Sequence, residues 1–474
     1  MTPAPRLTIS GLKGGAGKTL LALGLVRALV QDGVRLKPFK KGPDYIDAAW
    51  LGLAAECPAT NLDPFFLPPH ELRALFLQAF SSPGREDGKT AEFALVEGNR
   101  GLFDGRDLEG SCSTAALARA LQSPILLSLD CTKMTRTAAA LVQGVLSFEP
   151  DLSIAGVVLN KIGSERHSAL VRRAIEYYCP VPVLGALPRL IDNPLPERHM
   201  GLILQQATAT QRADAEVRLN TLAAAIRENL DLHRIRRLAQ AAPALPPEKM
   251  AWNETSPTPT GIRPRIGYVR DAALWFYYEE NLEALSRAGA ELIRLSLFDG
   301  EAWPKLDGIY LGGGFPEEFC VELAGAPKLA LLKEYAELGM PIYAECGGFL
   351  LLAASMERQG NSYPMAGVFP VRASFHNRPQ GLGYVEATVV LPNPFHPRGA
   401  AFKGHEFHYT RSEILPGAHA EYALQLGCGT GMAQGGDGLV HKSTFASYMH
   451  IFAPAVPHWA ERFVTAAAGF ATRG

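Results

Sequence analysis

The sequence predicts an α/β protein with two domains, and three observations lead to this prediction. Short apolar segments alternate with helical segments of about 12 to 15 residues, which is typical of a parallel, doubly wound sheet covered by helices. This alternation stops at a proline-rich stretch, residues 242–264, and then starts again. A glycine-rich turn also separates the first apolar segment from the first helical one. We therefore expect domains at 1–241 and 265–474, joined by a linker at 242–264.

The composition is that of an ordinary globular protein. Of the 474 residues, 47% are hydrophobic and 20% are charged, and the net charge is −1. This balance argues against a nucleic-acid or membrane partner. The seven cysteines are scattered without a Cys-x-x-Cys pair, so we expect neither disulfides nor a zinc or iron–sulfur site. Because there is no signal peptide and no apolar run near the roughly 20 residues of a membrane span, we expect a cytoplasmic protein.

The glycine-rich turn has the features of a phosphate-binding loop. It covers residues 11–19, after a strand at 7–10 and before a helix at 18–30. Backbone N–H groups and the positive end of the helix would converge there on the phosphates of a nucleoside triphosphate. The usual pattern has a glycine where Leu12 stands, and a glycine-rich turn without a ligand is the alternative. The residues predicted to hold the phosphates are Gly14, Gly15, Ala16, Gly17, Lys18 and Thr19.

Polar residues near other strand ends are candidates for a Mg²⁺ site. The Thr19 hydroxyl would bind the ion, and Glu97, at the tip of a buried strand, would bind it or orient a water. A loop at 38–47 follows a strand at 34–36, where open α/β sheets place their ligands. A solvated charged loop is the alternative. Its charged residues are Lys40, Lys41, Asp44 and Asp47.

Later segments of the first domain carry fewer signals. Strands are predicted at 125–130 and 154–160, and Asn160 would either contact the adenine edge or cap its strand. The segment 195–202 is a charged turn without a derivable role, and 208–241 is predicted to be helical.

The second domain contains a candidate nucleophile, Cys346. It lies between a predicted strand and a predicted helix and is followed by two glycines, as a nucleophile on a sharp turn requires. The start of the helix is expected to lower the pKa of the thiol. A buried structural cysteine is the alternative. The predicted strands here are 266–269, 291–295, 308–311 and 341–344, with helices at 281–288 and 349–355.

A thiol nucleophile needs a base, and His450 is the best candidate because it ends a late apolar strand. A carboxylate that orients the base is usually two residues further on, but Phe452 stands there, so this third residue is left open. His405 and His408 fit no familiar zinc spacing, and we favour substrate contact or a structural role for both.

In these motifs, the whole chain resembles the cobyrinate a,c-diamide synthases. The glycine loop, Gly42-Pro43-Asp44-Tyr45-Ile46-Asp47, Val96-Glu97-Gly98 and the segment 195–202 are similar to the ATP-dependent half of that family. The segments Gly312 to Pro316, Glu345 to Gly348, Gly404 to Tyr409 and Ser447 to His450 resemble its glutamine amidotransferase half. The motif at 42–47 argues against cobyric acid synthase. The resemblance implies a P-loop NTPase-type domain, similar to dethiobiotin synthetase, and a class I glutamine amidotransferase-like domain.

The implied activity is the amidation of the a and c acetates of cobyrinate in cobalamin biosynthesis, with glutamine and Mg-ATP, by a ligase that forms carbon–nitrogen bonds. Asp44 would lie near the metal with Thr19 and Glu97. The N–H of Gly347, with that of Gly313 or Gly314, would stabilise the oxyanion. Candidates for the tetrapyrrole side are Tyr45, Asp47, His405 and His408.

The sequence leaves other substrates and other classes of function open. Nickel-sirohydrochlorin is the second substrate class, ahead of hydrogenobyrinate. A partition-type switch ATPase is a different class of function, and a dethiobiotin synthetase-like carboxylase would explain the first half alone. Lys13 stands where partition ATPases carry a signature lysine, which suggests ATP binding across a homodimer. Asn99-Arg100 stands where a more apolar pair is common in this family, so the identity of the tetrapyrrole substrate is left open.

Overall fold

The first strand of the chain lies inside a seven-stranded parallel sheet, counted over the residues that the structure describes. The structure is a computed structural model and describes residues 2–82, 88–189, 209–248, 261–456 and 458–473. The chain divides into two compact units, and this sheet belongs to the first. Its strands pair in the order β3-β2-β4-β1-β5-β6-β7. They are β1 (Arg6–Gly11), β2 (Leu36–Lys41), β3 (Thr60–Leu62), β4 (Phe93–Glu97), β5 (Ile125–Asp130), β6 (Ile154–Ile162) and β7 (Val183–Pro188).

Helices pack on both faces of this sheet. One buried cluster joins α4, α5 and α6 to β5 and β6, while α1 contacts β1, β2 and β4 and packs against α2 and α7. Strands covered on both faces are buried along their whole length, as β1 and β4 are. The helices are α1 (Lys18–Gln31), α2 (Tyr45–Ala55), α3 (Pro69–Ser81), α4 (Thr114–Ala120), α5 (Thr137–Phe148), α6 (Glu165–Tyr178), α7 (Ala209–Asn229) and α8 (Leu232–Gln240).

The structure corrects two predictions for the first unit, and a third lies outside the described residues. The helix expected at 208–241 is two helices, because the Asp231 side chain caps the second by accepting a hydrogen bond from the Arg234 N–H. The strand expected at 34–36 runs over Leu36–Lys41 instead, since it pairs with β4 as far as Glu97. The charged turn at 195–202 lies outside the described residues.

The described part of the predicted linker packs on the first unit. Thr2 and Leu245 exchange two backbone hydrogen bonds, of 2.8 and 3.1 Å, and Arg73 forms an ion pair with Glu248 at 2.7 Å. Residues 249–260 lie outside the described part of the chain, so the linker and the domain limits stay predictions.

The second unit contains a ten-stranded sheet, again counted over the described residues, with the order β10-β8-β11-β13-β22-β21-β20-β17-β18-β23. Pairs from β10 to β22 are parallel and those from β22 to β23 are antiparallel. The remaining strands form a four-stranded sheet, β15-β14-β16-β19, and the pair β12-β9. The strands are β8 (Arg265–Val269), β9 (Leu274–Phe276), β10 (Glu291–Leu295), β11 (Gly308–Leu311), β12 (Gly313–Gly314), β13 (Ile342–Glu345), β14 (Ser355–Arg358), β15 (Asn361–Pro364), β16 (Val371–Phe375), β17 (Gly381–Val389), β18 (Ala401–His408), β19 (Thr410–Ile414), β20 (Tyr422–Cys428), β21 (Gly436–His441), β22 (Thr444–Ser447) and β23 (His450–Ile451).

Two separate cores lie on the faces of the parallel strands. Ile309 and Ile342 belong to one buried cluster, whereas Tyr310 and Tyr343 belong to the other, as the alternation of side chains along a strand requires. The helices are α9 (Glu279–Arg287), α10 (Cys320–Ala324), α11 (Lys328–Glu337), α12 (Gly347–Leu352) and α13 (Trp459–Ala471), with 3₁₀ turns at Pro316–Phe319 and Ala453–Ala455.

Two predictions in this unit were displaced. The helix expected at 349–355 is Gly347–Leu352, because the chain turns at Ala353 into β14. His450 does not end an apolar strand but begins β23, which pairs with β18. The predicted fold class is confirmed for both units. Within the described residues, no helix is both long and apolar enough to cross a bilayer.

A matched pair of glycines tests the packing of α1 against α7. A Cβ at Gly24 would lie 2.6 Å from Ile226 Cγ1 and 3.0 Å from the Leu222 carbonyl oxygen, whereas a Cβ at Gly144, inside α5, would meet nothing within 4 Å. We expect Gly24→Ala to lower the free energy of unfolding by about 1–3 kcal/mol through overpacking. Gly144→Ala should raise it by roughly 0.5–1 kcal/mol, because alanine favours a helix. Urea titrations of the intact chain compare the two variants, and equal stabilities would contradict the close contact.

Candidate functional site

The phosphate-binding loop of the first unit is held in shape through its carbonyl groups. The Ala16 carbonyl accepts hydrogen bonds from Ser128 Oγ and Asn160 Nδ2, both at 3.0 Å. The Gly15 carbonyl accepts one from Lys161 Nζ at 3.0 Å. Because these donors come from the ends of β5 and β6, the sheet itself fixes the loop before any anion binds.

Gly17 shows why the loop needs glycine. Its φ is 80°, in the left-handed region, and a Cβ there would lie 1.9 Å from Asn160 Nδ2. The Asn160 amide is thus engaged with the loop, and its Oδ1 accepts a hydrogen bond from the Lys161 N–H at 2.8 Å. Contact with adenine stays a prediction, whereas the support of the loop by Asn160 is a role that the sequence did not suggest.

Two loop lysines differ in their surroundings. Lys18 is buried and its Nζ donates to the Lys13 carbonyl at 3.0 Å. The Lys13 side chain is 68% exposed, with its Nζ 3.7 Å from Asp130 Oδ2. Lys161 also contacts Asp130, at 2.9 Å. Hydrogen bonds from Thr132 and Lys161 hold the pKa of Asp130 at about 2, although partial burial opposes this.

Beside the loop, a buried cluster of charges gathers around Glu97. Thr19 Oγ1 donates to Glu97 Oε1 at 2.6 Å. Lys40 Nζ lies 3.3 Å from the same oxygen and 2.5 Å from Asp47 Oδ2. Lys40 was expected in a loop but ends up in β2, in register with Glu97. Neither its burial nor its pairing could be read from the local sequence.

Burial controls the protonation of these carboxylates. It raises the pKa of Glu97 to about 7, although Lys40 and Thr19 oppose the shift. It also raises the pKa of Asp44 to about 6, with Asp47 adding to the effect. Asp44 caps α2 and accepts the Asp47 N–H at 2.9 Å, so Tyr45 and Asp47 lie in the first turn of that helix. Both carboxyls therefore hold a proton more readily than exposed ones do, and a cation in addition to Lys40 would favour their ionised forms.

A divalent cation fits this cluster. Glu97 Oε2 is buried without a hydrogen-bond partner, and the Thr19 hydroxyl lies on the other carboxylate oxygen. Hydroxyl and carboxylate oxygens are the donors that Mg²⁺ prefers. The orphaned oxygen is costly in the absence of such an ion.

The second unit holds Cys346 on a strained turn between β13 and α12. Its φ of 46° and ψ of −101° are unfavourable for any residue with a Cβ. The Cys346 N–H donates to the Ser447 carbonyl at 2.7 Å, and the thiol donates to the Phe407 carbonyl at 3.5 Å. A Cβ at Gly348 would lie 2.4 Å from the Leu311 carbonyl, so the small residue lets the turn approach β11.

Glu345 is the carboxylate that faces His450, and the sequence did not suggest it. Its Oε2 lies 3.2 Å from His450 Nδ1, and its Oε1 accepts the Ile451 N–H at 3.3 Å. Both side chains are almost completely buried. The expected position for this carboxylate holds Phe452, which packs on Tyr278 instead. The available signal was an acidic residue at the end of a buried strand, immediately before the nucleophile.

Three glycines let the neighbouring backbone approach this set. A Cβ at Gly313 would lie 2.3 Å from His450 Cε1, and one at Gly347 would lie 2.9 Å from the Gly314 nitrogen. A Cβ at Gly314 would lie 1.9 Å from the Ala273 carbonyl. The backbones of Gly314 and Gly347 are thus adjacent beside Cys346, where two N–H groups can converge on one oxygen.

The Cys346 thiol is buried, and this burial dominates its pKa. Burial raises the pKa of Cys346 well above its usual range, and the charges of Glu317 and Glu345 add to the shift. The Gly347 N–H at the start of the helix lowers this pKa, as expected, but burial outweighs it, so the expected net lowering is wrong. Burial likewise raises the pKa of Glu345, although its hydrogen bond to His450 opposes this.

The two other histidines are buried in the same unit. His405 lies opposite His450 in the β18–β23 register, and the two rings stack at 4.9 Å. Burial lowers the pKa of His405 well below its usual value. His408 stacks on Tyr448 at 3.7 Å, with its Nε2 3.6 Å from Glu406. A role in substrate binding stays a prediction for both. Over the described parts of the chain, His, Cys, Asp and Glu form no group of three arranged for a metal ion.

Two family models match this chain, one in each of its two halves. Residues 7–203 match the family model described as the CobQ/CobB/MinD/ParA nucleotide binding domain. Residues 265–456 match the CobB/CobQ-like glutamine amidotransferase domain. The chain is 41% identical to the cobyrinate a,c-diamide synthase of Magnetococcus marinus, over 96% of each chain. It is 38% identical to that of Syntrophotalea carbinolica, over 97% of this chain and 98% of the relative. For that of Methanosarcina barkeri the identity is 35%, over 98% and 96%.

Proposed function

Because the chain belongs to the cobyrinate a,c-diamide synthase family, we propose that it amidates the a and c acetate carboxylates of cobyrinate, using glutamine and ATP. The observation that carries this proposal is the pairing of two chemistries in one chain. One is a phosphate-binding loop beside a buried charge cluster, and the other is Cys346 with His450 and Glu345.

The second unit would release ammonia from glutamine. Cys346 Sγ forms a bond to the carboxamide carbon while its proton passes to His450 Nε2, the ring nitrogen that does not face Glu345. The N–H of Gly347, with that of Gly313 or Gly314, stabilises the oxyanion. His450 then returns the proton to the departing nitrogen, and ammonia leaves a thioester. Water hydrolyses the thioester to glutamate and restores the thiol.

The first unit would activate the ring carboxylate. An acetate oxygen attacks the γ-phosphorus of ATP, which yields ADP and an acyl phosphate, and ammonia then displaces phosphate to form the amide. Lys18 and Lys40 supply positive charge at the loop and at the cluster. Tyr45 and Asp47, at the start of α2, are our candidates for contact with the ring.

Mg²⁺ would be held by Thr19 and Glu97, with Asp44 nearby. When bound, it would neutralise the negative charge of the phosphates. Burial raises the pKa of Glu97. The positive charge of a bound Mg²⁺ would oppose this rise and favour the ionised carboxylate.

The glutamine site argues against a partition-type switch ATPase. Such a switch has no use for a strained cysteine held with a buried histidine–glutamate pair. A dethiobiotin synthetase-like carboxylase would leave the second unit unexplained. Nickel-sirohydrochlorin and hydrogenobyrinate share the required carboxylates, so they are distinguished by experiment.

The first test is the mass of the product. Purified protein with glutamine and Mg-ATP is offered cobyrinate, hydrogenobyrinate and nickel-sirohydrochlorin in separate reactions. We expect two amidations of cobyrinate, with glutamate and ADP released. A preference for either other ring would change the substrate, and amidation of none would contradict the substrate class.

Glu345→Gln tests the assignment of the third catalytic residue. The variant keeps the size of the side chain but loses the charge that stabilises protonated His450, so glutamine-dependent amidation should fall about 10²- to 10⁴-fold. Amidation with ammonium chloride should keep its wild-type rate. Cys346→Ser is the matched control, because it should lose the glutamine reaction and keep the ammonia reaction. Equal losses with both nitrogen sources would contradict the assignment.

We also propose a homodimer in which Lys13 contacts the nucleotide of a second copy, because this loop lysine is mostly exposed. Lys13→Ala should then lower ATP-dependent amidation by roughly 10³-fold, as when a cation supplied by a partner is removed, and leave glutaminase activity unchanged. Sedimentation with Mg-ATP reports the association. Full amidation by this variant would reject the proposal.

A further inference from the structure

Two residues, Tyr448 and Met449, connect the backbone that holds Cys346 to the proposed base. Ser447 ends β22, and its carbonyl accepts the Cys346 N–H at 2.7 Å. His450 begins β23 three residues after Ser447. Ser447 Oγ also donates to the Met449 carbonyl at 3.0 Å, which tightens the connection. The conformation of this connection therefore sets where the backbone of His450 lies relative to that of Cys346.

The side chain of Asp437 holds the connection from the neighbouring strand, β21. Its Oδ1 accepts the Tyr448 N–H at 3.1 Å and the Gly438 N–H at 2.8 Å. Its Oδ2 accepts the Met449 N–H at 3.2 Å. The Asp437 side chain has no exposed surface. Both backbone donors between β22 and β23 thus end on one buried carboxylate.

The charge and burial of Asp437 suit this role. Burial raises the pKa of Asp437 to about 6, although its three N–H donors oppose the rise, so the carboxylate is mostly ionised at neutral pH. N–H groups bond more strongly to an ionised carboxylate than to a neutral acceptor. Tyr448 and Met449 are themselves buried, so water does not readily replace Asp437 as the acceptor for their N–H groups.

A separate set of contacts holds the side chain of Tyr448. Its hydroxyl lies 2.9 Å from Thr410 Oγ1 and 2.7 Å from Ser412 Oγ, both on β19. Its ring stacks on His408 at 3.7 Å. These contacts fix the phenol, whereas Asp437 acts on the backbone that leads directly to His450.

We propose that Asp437 is a positioning residue for the glutaminase reaction, whose carboxylate fixes the backbone of Tyr448 and Met449 and thereby the place of His450 relative to Cys346. The proposal rests on the proposed function of the second unit. A displaced base impairs proton transfer but leaves the groups that bind glutamine in place, so the effect belongs to the chemical step.

Asp437→Asn tests this role and keeps the size of the side chain. An amide has one oxygen, so at least one of the two oxygen positions no longer accepts a backbone N–H. We expect kcat for glutamine hydrolysis to fall about 10- to 100-fold, as a small misplacement of a catalytic group does. Amidation with ammonium chloride should keep its wild-type rate.

Glutamine binding separates positioning from a merely structural role. Calorimetry in the Cys346→Ser background, where the thiol is absent, should give the same Kd and the same binding stoichiometry with and without Asp437→Asn. An unchanged stoichiometry shows that the second unit is folded, so the lost kcat then reports the displaced base.

Asp307→Asn is the matched control. Asp307 is also buried in the second unit, and its Oδ2 accepts the Arg265 N–H at 2.8 Å. It directly precedes β11, at the end of the parallel strands opposite to Cys346. This variant should keep the wild-type kcat for glutamine.

Three results would overturn the proposal. Asp437→Asn keeps the wild-type kcat, Asp307→Asn lowers kcat as much, or the loss of kcat matches an equal loss of glutamine-binding stoichiometry. A wild-type protein that releases no glutamate from glutamine would instead contradict the proposed function.

Discussion

A carboxylate buried at the last residue of a parallel strand is the constraint on which each unit depends. Glu97 ends β4 and Glu345 ends β13, and neither has any exposed surface. Burying an ionised carboxylate is expensive unless a partner compensates it. Lys40 does this for Glu97 at 3.3 Å, and His450 does it for Glu345 at 3.2 Å. In both units the compensating group comes from another strand, so the chemistry exists only in the folded sheet.

The two partners differ in whether their charge is permanent. Lys40 remains charged: burial alone would lower its pKa, but Glu97 and Asp47 raise it above its ordinary value. It therefore gives the first unit a permanent cation next to the place proposed for phosphate and metal. An imidazole can gain and lose a proton near neutral pH, which would suit the base proposed at position 450. A lysine in its place would hold the proton too tightly to act as a base near neutral pH.

The parts that could be predicted from sequence are those whose chemistry is local. The glycine loop and the Cys346 turn each occupy a few consecutive residues, and their neighbours must be small for steric reasons that hold in any fold. Glu345 could not be assigned in this way, because its partner lies 105 residues away. His450 comes near it because β13 pairs with β22, which sets Glu345 opposite Ser447, three residues before His450. The same is true of Lys40, whose register with Glu97 follows from sheet topology. The thiol pKa was misjudged because burial, a property of the whole unit, outweighs the local effect of the helix.

The raised pKa of the Cys346 thiol bears on how its proposed attack on glutamine would begin. Burial raises the pKa of the Cys346 thiol and that of the Glu345 carboxyl, so it disfavours the charged form of both groups. In the proposed attack, negative charge on the substrate oxygen would be stabilised by the N–H of Gly347 with that of Gly313 or Gly314. Backbone N–H groups do not change their charge with pH, whereas the Glu345 carboxylate does. The proposed step would therefore depend on the groups that hydrogen-bond to the Glu345 carboxylate, which include His450 Nδ1 and the Ile451 N–H.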